Sequence, residues 1–329
     1  MDSLWLHNLL VLTGCAVAVW LLWATLFTER SRRATRRLRR DRVGLVCAAT
    51  VVLFLLAGLS DCLLVAPRTS LLDAAFRNVP LEEGYSAPMA RTTFDERAPK
   101  PLRGFHLLGT DLLGKDVLLQ TLKGCKTALI IGGLTTLLYV PVGALLGILG
   151  GYFQRWVDDV VQYLYSTLAS IPGILLLVAV MMLLGKGLDR MAVALSLTAW
   201  IGLCRLVRGE TFRQASRPYV DAARALGQSN PRIILFHILP NVMHLVVINA
   251  ILGFSGLVLT ETILSYLGVG APVGTASWGI MIDSARMELS REPSVWWPLT
   301  AATGALFLLV LSLNLLGDSL RRAFDPKAA

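Results

Sequence analysis

Two strongly apolar parts of this chain are separated by the polar segment Tyr219-Val-Asp-Ala-Ala-Arg-Ala-Leu-Gly-Gln-Ser-Asn-Pro-Arg-Ile-Ile-Leu-Phe-His-Ile-Leu-Pro-Asn241. Pro218 suits the first turn of a short helix, and Gly227 suits the left-handed position at which that helix ends. Asn230 as an N-cap, with a proline behind it, predicts a second helix that continues to Pro240. We therefore predict two helices joined by a glycine bend, outside the lipid and facing another protein.

The composition of the chain indicates a membrane protein. Of its 329 residues, 55% are hydrophobic and 16% are charged, and the mean hydropathy is +0.62. The net charge of +9 is better explained by arginines retained on the cytoplasmic side of a membrane than by nucleic-acid binding. The five cysteines are scattered without CxxC pairing, so they predict neither a metal site nor a disulfide framework.

Apolar runs of about 20 residues, the length that spans a bilayer as a helix, occur seven times. The predicted spans are 4–27, 43–66, 127–150, 160–184, 191–207, 241–267 and 296–317. The fold class is therefore all-α, a polytopic bundle of membrane helices with about seven spans. The first run has Asp2 and no basic residue ahead of it, so we expect a retained helix rather than a secretory signal.

Arginines predict the orientation of these spans. A dense cluster lies in the short connection between the first two spans, where the positive-inside rule is most reliable. The cluster comprises Arg30, Arg32, Arg33, Arg36, Arg37, Arg39, Arg40 and Arg42. Counting onward predicts an N-terminus outside, the 67–126 loop outside, the 208–240 loop inside and a cytoplasmic C-terminus. The same cluster also suits contact with anionic membrane lipid.

A second motif lies ahead of the third span. The sequence His106-Leu-Leu-Gly-Thr-Asp-Leu-Leu-Gly-Lys-Asp116 continues into a helical apolar stripe. We predict an amphipathic helix at the outer membrane interface, with Asp111 as its cap and Gly109 turning the chain into it. The candidate residues of this outer motif are Gly109, Thr110, Asp111, Gly114, Lys115 and Asp116.

The sequence lacks the motifs of a self-contained motor or enzyme. There is no Gly-x-x-x-x-Gly-Lys-Ser/Thr loop, so we expect no nucleotide phosphates to bind this chain. There is also no HExxH, no Gly-x-Ser-x-Gly and no paired-cysteine site, so a membrane enzyme is disfavoured and no metal is predicted.

The polar segment resembles the cytoplasmic EAA loop of ABC importer permeases. The matching positions are Asp221, Ala222, Ala223, Gly227, His237 and Pro240, with Asp221 where the family usually has glutamate. The resemblance implies that the first helix is a coupling helix that docks on an ATPase subunit. The small side chains of Ala222 and Ala223 would let a partner's backbone approach closely.

Further motifs extend the resemblance over about 105–326. Gly109-Thr-Asp and Gly114-Lys-Asp are similar to the Gly-Thr-Asp-x-x-Gly-Arg-Asp signature of C-type permeases in dipeptide, oligopeptide and nickel importers. The others, in chain order, are Gly150-Gly-Tyr-Phe153 with Trp156-Val-Asp158, Ser170-Ile-Pro-Gly173, Glu261 with Leu264-Ser-Tyr-Leu-Gly268, Ser277-Trp-Gly279 and Asn314-Leu-Leu-Gly-Asp318. The resemblance implies a type I ABC importer permease fold of six spans, to which this chain adds one N-terminal helix.

The resulting division of the chain has three parts. Residues 1–66 form a two-span region with the arginine-rich cytoplasmic loop, and residues 67–126 form an extracytoplasmic loop with the interfacial helix. Residues 127–329 form the permease core, which contains the coupling loop 208–240.

The resemblance also implies the function and the partners. The chain is expected to be a permease subunit in a bacterial inner membrane, moving short peptides or a related substrate such as a nickel chelate. Its expected partners are a homologous second permease, two ATPase subunits that carry ATP and Mg²⁺, and an extracytoplasmic substrate-binding protein. No cofactor is expected on this chain itself.

Two polar residues within the spans are candidates for the translocation path. Glu261 could line the path, pair with a partner permease or reach the outer interface, and Asn249 is a weaker candidate on the same argument. Pro141 and Pro172 interrupt apolar spans and could bend them. A self-sufficient secondary transporter is the alternative function, and it predicts inverted repeats or several buried charges.

Overall fold

A computed structural model describes residues 8, 11, 13, 41–66, 69–94, 100–272 and 274–324. The chain is mainly helical. Its helices are α1 (Arg42–Cys62), α2 (Leu71–Ala75), α3 (Val117–Phe153), α4 (Arg155–Ala169), α5 (Gly173–Leu184), α6 (Leu188–Ala215), α7 (Pro218–Ala225), α8 (Asn230–Ile233), α9 (Leu239–Tyr266), α10 (Trp278–Arg286) and α11 (Trp297–Phe324). Two short antiparallel strands, β1 (Leu64–Ala66) and β2 (Thr69–Ser70), follow α1. The predicted first span and its arginine cluster lie outside the described residues, except for positions 8, 11, 13 and 42.

Within the described ranges, five helical segments are long and apolar enough to cross a membrane. They are α1, α3, α6, α11 and the continuous helix that α8 and α9 form over Asn230–Tyr266. A sixth crossing is available only if α4 and α5 count as one broken span. The predicted span over 160–184 is not one straight helix, because α4 and α5 meet at 83°. Pro172 lies at the break, where it cannot donate a backbone hydrogen bond.

The helices have two distinct ends. Helices α1 and α9 finish at the end that carries two connecting segments, 63–116 and 267–296, which we call the loop end. The indole N–H of Trp278 donates to the Thr121 carbonyl at 2.9 Å, and that of Trp297 donates to the Thr110 carbonyl at 2.9 Å. The first bond holds the 267–296 segment against α3, and the second holds the 63–116 segment against the start of α11. The opposite end carries residues 216–238, and we call it the hairpin end.

Helices α3 and α6 pack closely along their length because glycines line their contact. Gly143, Gly147 and Gly151 recur every four residues and so share one face of α3. A Cβ atom on Gly147 would lie 2.8 Å from the Cys204 carbonyl oxygen, and one on Gly151 would lie 2.6 Å from that of Arg208. Only glycine therefore allows this approach of the two backbones.

The predicted interfacial helix over 106–116 is wrong. Gly109 (φ 73°) and Gly114 (φ 71°) adopt the left-handed conformation, so the segment forms turns. Helix α3 begins only at Val117, and its N-cap is Asp116 rather than Asp111. The predicted boundary between residues 126 and 127 consequently falls inside α3.

The second hairpin helix also differs from its prediction. It does not stop at Pro240, because a π-helical turn, Ile234–Ile238, joins α8 to α9 without a break. The N–H of Leu239 bonds to the carbonyl of Ile234 in this turn. The N-cap of α8 is Ser229, one residue before the predicted Asn230.

Replacing Gly147 with alanine should destabilise the α3–α6 contact. The added methyl group cannot fit beside the Cys204 carbonyl, so we expect the free energy of unfolding to fall by about 1–3 kcal/mol. Gly304→Ala is the matched control, since a Cβ there meets no atom within 4 Å. Thermal unfolding of both variants in detergent tests this, and equal midpoints would contradict the packing argument.

Candidate functional site

The helix, glycine bend and second helix predicted from the polar segment are confirmed. Helix α7 begins with Pro218 in its first turn and is capped by Leu226. Gly227 follows with φ of 75°. Its N–H bonds to the Arg224 carbonyl at 2.9 Å, and the next N–H, of Gln228, bonds to that of Ala223 at 3.1 Å. This pair of bonds is the Schellman pattern that ends a helix.

The two faces of this hairpin differ in exposure. Val220 and Ala223 are buried against the rest of the chain, whereas Asp221 and Ala222 are exposed. Only Ala222 of the alanine pair is therefore accessible to a partner protein, and the expectation that both alanines would contact that protein is wrong. Apolar side chains are nevertheless exposed beside Ala222. They are Leu226 (81% exposed), Phe236 (70%) and Leu235 (55%).

His237 and Pro240 hold different positions in the hairpin. The Nε2 atom of His237 lies 2.9 Å from Oε1 of Gln228, so the imidazole fastens the second helix to the bend. Pro240 is exposed in the first turn of α9. The Tyr219 ring lies 6.3 Å from the His237 ring, and burial raises the pKa of the Tyr219 phenol above its ordinary value.

Two further contacts hold the hairpin end together. The hydroxyl of Tyr152, in the last turn of α3, donates to Oδ1 of Asn230 at 2.8 Å. The guanidinium of Arg208 on α6 forms a two-bond ion pair with the carboxylate of Asp158 on α4. From the sequence, Tyr152 and Asp158 were recognised only as members of matched motifs, and Arg208 was not a candidate residue. No local pattern predicts contacts between residues so distant in sequence.

At the loop end, a buried histidine joins two carboxylates. Nδ1 of His106 lies 2.9 Å from Oδ2 of Asp116, and its Nε2 lies 3.3 Å from Oε1 of Glu82. The same Glu82 oxygen accepts the backbone N–H groups of Arg103 (2.8 Å) and Gly104 (3.0 Å). All three side chains are buried, so this cluster fixes the connecting segment to the start of α3. The quoted motif begins at His106, but neither His106 nor Glu82 was among the predicted site residues.

The remaining residues of the outer motif build turns around this cluster. The Thr110 hydroxyl donates to the Gly84 carbonyl at 2.7 Å. Asp111 accepts the N–H groups of Leu113 at 2.9 Å and Lys115 at 2.8 Å. The Lys115 side chain itself is exposed. A Cβ on Gly109 or Gly114 would overlap backbone atoms of residues 82–87, so both glycines are required by the fold.

A cavity of about 260 Å³ lies at the loop end, between these turns and α10. Tyr85 and Glu288 are among its lining residues. Burial, together with the negative charge of Glu288, raises the pKa of Tyr85 to about 12, so its phenol stays protonated at neutral pH. Among the described residues, no group of His, Cys, Asp and Glu could hold a metal ion.

The two candidate path residues lie in different surroundings. Asn249 lines a cleft of about 280 Å³ between α3, α5, α6 and α9, together with Tyr139 and Thr198. Glu261 lines no such space, because it is 1% exposed. Its carboxylate accepts hydroxyl groups from its own helix and from the start of α10. The donors are Ser277 (2.7 Å), Ser265 (2.8 Å) and Thr262 (3.4 Å).

Residues 143–329 match the family of binding-protein-dependent transport system inner membrane components. The match covers more than half of the chain and includes the hairpin and the cleft helices α6 and α9. The chain belongs to this family. It is therefore a permease subunit of an ABC importer, a multi-pass protein of the inner membrane. The family assignment confirms the resemblance on which the permease fold was predicted.

Relatives of known description agree with this assignment. The permease is 33% identical over 230 residues to the oligopeptide transport system permease protein OppC of Bacillus subtilis (strain 168), covering 70% of this chain and 74% of that protein. It is 35% identical over 222 residues to the glutathione transport system permease protein GsiD of Pectobacterium atrosepticum, covering 68% and 73%. It is 28% identical over 296 residues to the dipeptide transport system permease protein DppC of Alkalihalophilus pseudofirmus, covering 90% of each.

These relatives are permease subunits of transport systems, not enzymes, and the ATPase of such a system is a separate protein. The permease therefore works with an ATPase and a substrate-binding protein. The alternative, a self-sufficient secondary transporter, is set aside by the family assignment.

Replacing Gly114 with alanine should loosen the connecting segment at the loop end. The new side chain would overlap the Glu82 backbone and take up an unfavourable φ, so we expect a loss of at least about 2 kcal/mol of stability. Limited proteolysis across residues 80–116, with thermal unfolding, measures this. Gly84→Ala in the same segment is the control, because a Cβ there meets nothing within 4 Å. Equal cleavage of both variants would refute the argument.

Proposed function

We propose that this permease forms one wall of a passage through which an ATP-driven importer moves short peptides. The printed names of its relatives support the substrate class, since they are oligopeptide, dipeptide and glutathione transport permeases. A homologous second permease supplies the opposite wall, and a related substrate such as a nickel chelate is the alternative cargo. The observation that carries the proposal is the family match over 143–329 together with the exposed hairpin inside it.

The hairpin end is the proposed ATPase-docking surface. An ATPase subunit that carries ATP and Mg²⁺ would contact Asp221, Ala222 and Leu226, with a second ATPase on the second permease. The 81% exposure of Leu226 supports this, because a large apolar side chain at a polar bend gains free energy when a partner covers it. The fixed bend at Gly227 supports it too, since a rigid projection transmits force better than a mobile loop.

The proposed orientation sets the hairpin end in the cytoplasm and the loop end outside. Exposed arginines at the hairpin end follow the positive-inside rule, among them Arg213, Arg217 and Arg321. The C-terminus is then cytoplasmic. Asn8 supports an N-terminus outside, because its amide exchanges two hydrogen bonds with the Leu64 backbone at the loop end. An extracytoplasmic binding protein would deliver the substrate to this end.

The cleft beside Asn249 is the proposed wall of the passage. Its polar groups include the Asn249 amide and the hydroxyls of Tyr139 and Thr198, which suit the amide groups of a peptide. Gly202 and Gly256 also line it, and a Cβ on either would meet no atom of this chain within 4 Å. Packing within the chain does not require these glycines, so we infer that they keep the passage wide. Glu261 instead ties α9 to α10 near the outer mouth.

Gly227→Val tests the docking hairpin. Valine is strained at a φ of 75°, by about 1–3 kcal/mol, but its Cβ atom meets no atom within 4 Å. We therefore expect normal membrane insertion with a clear loss of substrate-stimulated ATP hydrolysis in the assembled complex. Gly227→Asn is the control, because asparagine tolerates the left-handed conformation and should keep most of the stimulation. Unchanged stimulation in the valine variant would contradict the proposed role.

Gly256→Leu tests the passage. The leucine side chain would project into the cleft, so we expect the complex to assemble and hydrolyse ATP while most peptide uptake into proteoliposomes is lost. Gly304→Leu on α11 is the matched control, since its Cβ is equally unobstructed but lies away from the cleft. Full uptake by the Gly256 variant would show that the passage runs elsewhere.

A further inference from the structure

Tyr152 connects both helices of the hairpin to the long helix α3. Its hydroxyl donates to Asn230 at the start of α8 at 2.8 Å. The guanidinium carbon of Arg224, in the last turn of α7, lies 5.3 Å from the centre of its ring, within the range of a cation–π interaction. Tyr152 is only 5% exposed. One buried side chain thus contacts the helices on both sides of the Gly227 bend.

Helix α3 is well fixed at the point where Tyr152 leaves it. Gly151, the preceding residue, lies against α6 so closely that a Cβ would come within 2.6 Å of the Arg208 carbonyl oxygen. Arg208 in turn holds the Asp158 carboxylate of α4 in a two-bond ion pair. A displacement passed to Tyr152 is therefore passed to α3, α4 and α6 together.

The other end of α3 is fixed to the loop end. Its N-cap, Asp116, contacts the buried His106, which also contacts Glu82. The helix runs without a break over 37 residues, and at about 1.5 Å per residue it is about 55 Å long. α3 thus joins the hairpin at one end to the connecting segment at the other through buried side chains at both ends.

We propose that Tyr152 is a positioning residue for energy coupling: its hydroxyl bond to Asn230 transmits movement of the docked hairpin to α3, and through α3 to the loop end. This inference rests on the proposed docking of an ATPase at the hairpin. It goes beyond that docking because it assigns the transmission to one side chain that need not touch the ATPase. Folding of α3 does not require the hydroxyl, since a phenylalanine ring would fill the same space.

The decisive variant is Tyr152→Phe in the complete complex of permeases, ATPases and binding protein, reconstituted in liposomes. The readouts are ATP hydrolysis with and without loaded binding protein, and the number of peptides taken up per ATP hydrolysed. We expect the stimulation by loaded binding protein to fall about fivefold, the change that one hydrogen bond of ordinary strength produces. Uptake per ATP should fall as well, with unstimulated hydrolysis and assembly unchanged.

Tyr163→Phe is the matched control, because Tyr163 is 72% exposed on α4. It should match the unmodified complex in every readout. If the unmodified complex itself shows no stimulation by loaded binding protein, the proposed function fails. If it shows stimulation and uptake per ATP that Tyr152→Phe leaves intact, only the role of Tyr152 fails.

A second pair of variants keeps the test valid should Tyr152→Phe impair assembly. Asn230→Asp retains an oxygen that accepts the Tyr152 hydroxyl, so coupling should persist. Asn230→Leu removes the acceptor and should reproduce the loss, with little further loss when combined with Tyr152→Phe. Equal coupling in the two Asn230 variants would overturn the proposal.

Discussion

The close approach of α3 and α6 is the constraint on which the rest of the molecule depends. Within a bilayer, apolar side chains gain little by leaving lipid for protein, so helices associate through close van der Waals packing. Gly143, Gly147 and Gly151 provide that packing on α3. The same contact sets one side of the cleft, brings Arg208 to Asp158 and holds Tyr152 beside the hairpin. A change at this contact therefore reaches every proposed functional region.

Several buried carboxylates in this fold are satisfied by protein partners instead of water. Glu261 shows this most clearly, because three hydroxyl groups surround a carboxylate that is almost completely buried. The Glu82, His106 and Asp116 cluster shows it at the loop end. A buried polar group without such partners costs several kcal/mol in lipid. These buried carboxylates thus hold separate segments of the chain together. The polar groups that line the cleft are uncharged, such as the Asn249 amide.

The sequence predicted best those features that depend on neighbouring residues. The hairpin was predicted correctly because Pro218 and Gly227 act on their own helix. The segment 106–116 was predicted wrongly, because its apolar periodicity competes with two left-handed glycines whose need is set by contacts with residues 82–87. The break between α4 and α5 was anticipated at Pro172 but not its 83° angle. The buried carboxylate of Glu261 accepts a hydrogen bond from Ser277, sixteen residues away, so no local pattern could distinguish its surroundings from those of Asn249.

These contacts also determine which parts can move at least cost. Separating α3 from α6 would open a contact made by the two backbones themselves along much of their length, so the pair moves as one body with the hairpin attached. Helix α5 is held far more weakly. Only Leu177 and Met181 of its residues are buried, whereas Leu183 (87%) and Met182 (74%) are largely exposed. Since α5 forms one side of the cleft and places only these two buried residues in the core, its displacement against the fixed pair would change the cleft width at less cost than separating α3 from α6. One rigid side and one loosely held side would allow the proposed passage to open alternately to either side of the membrane.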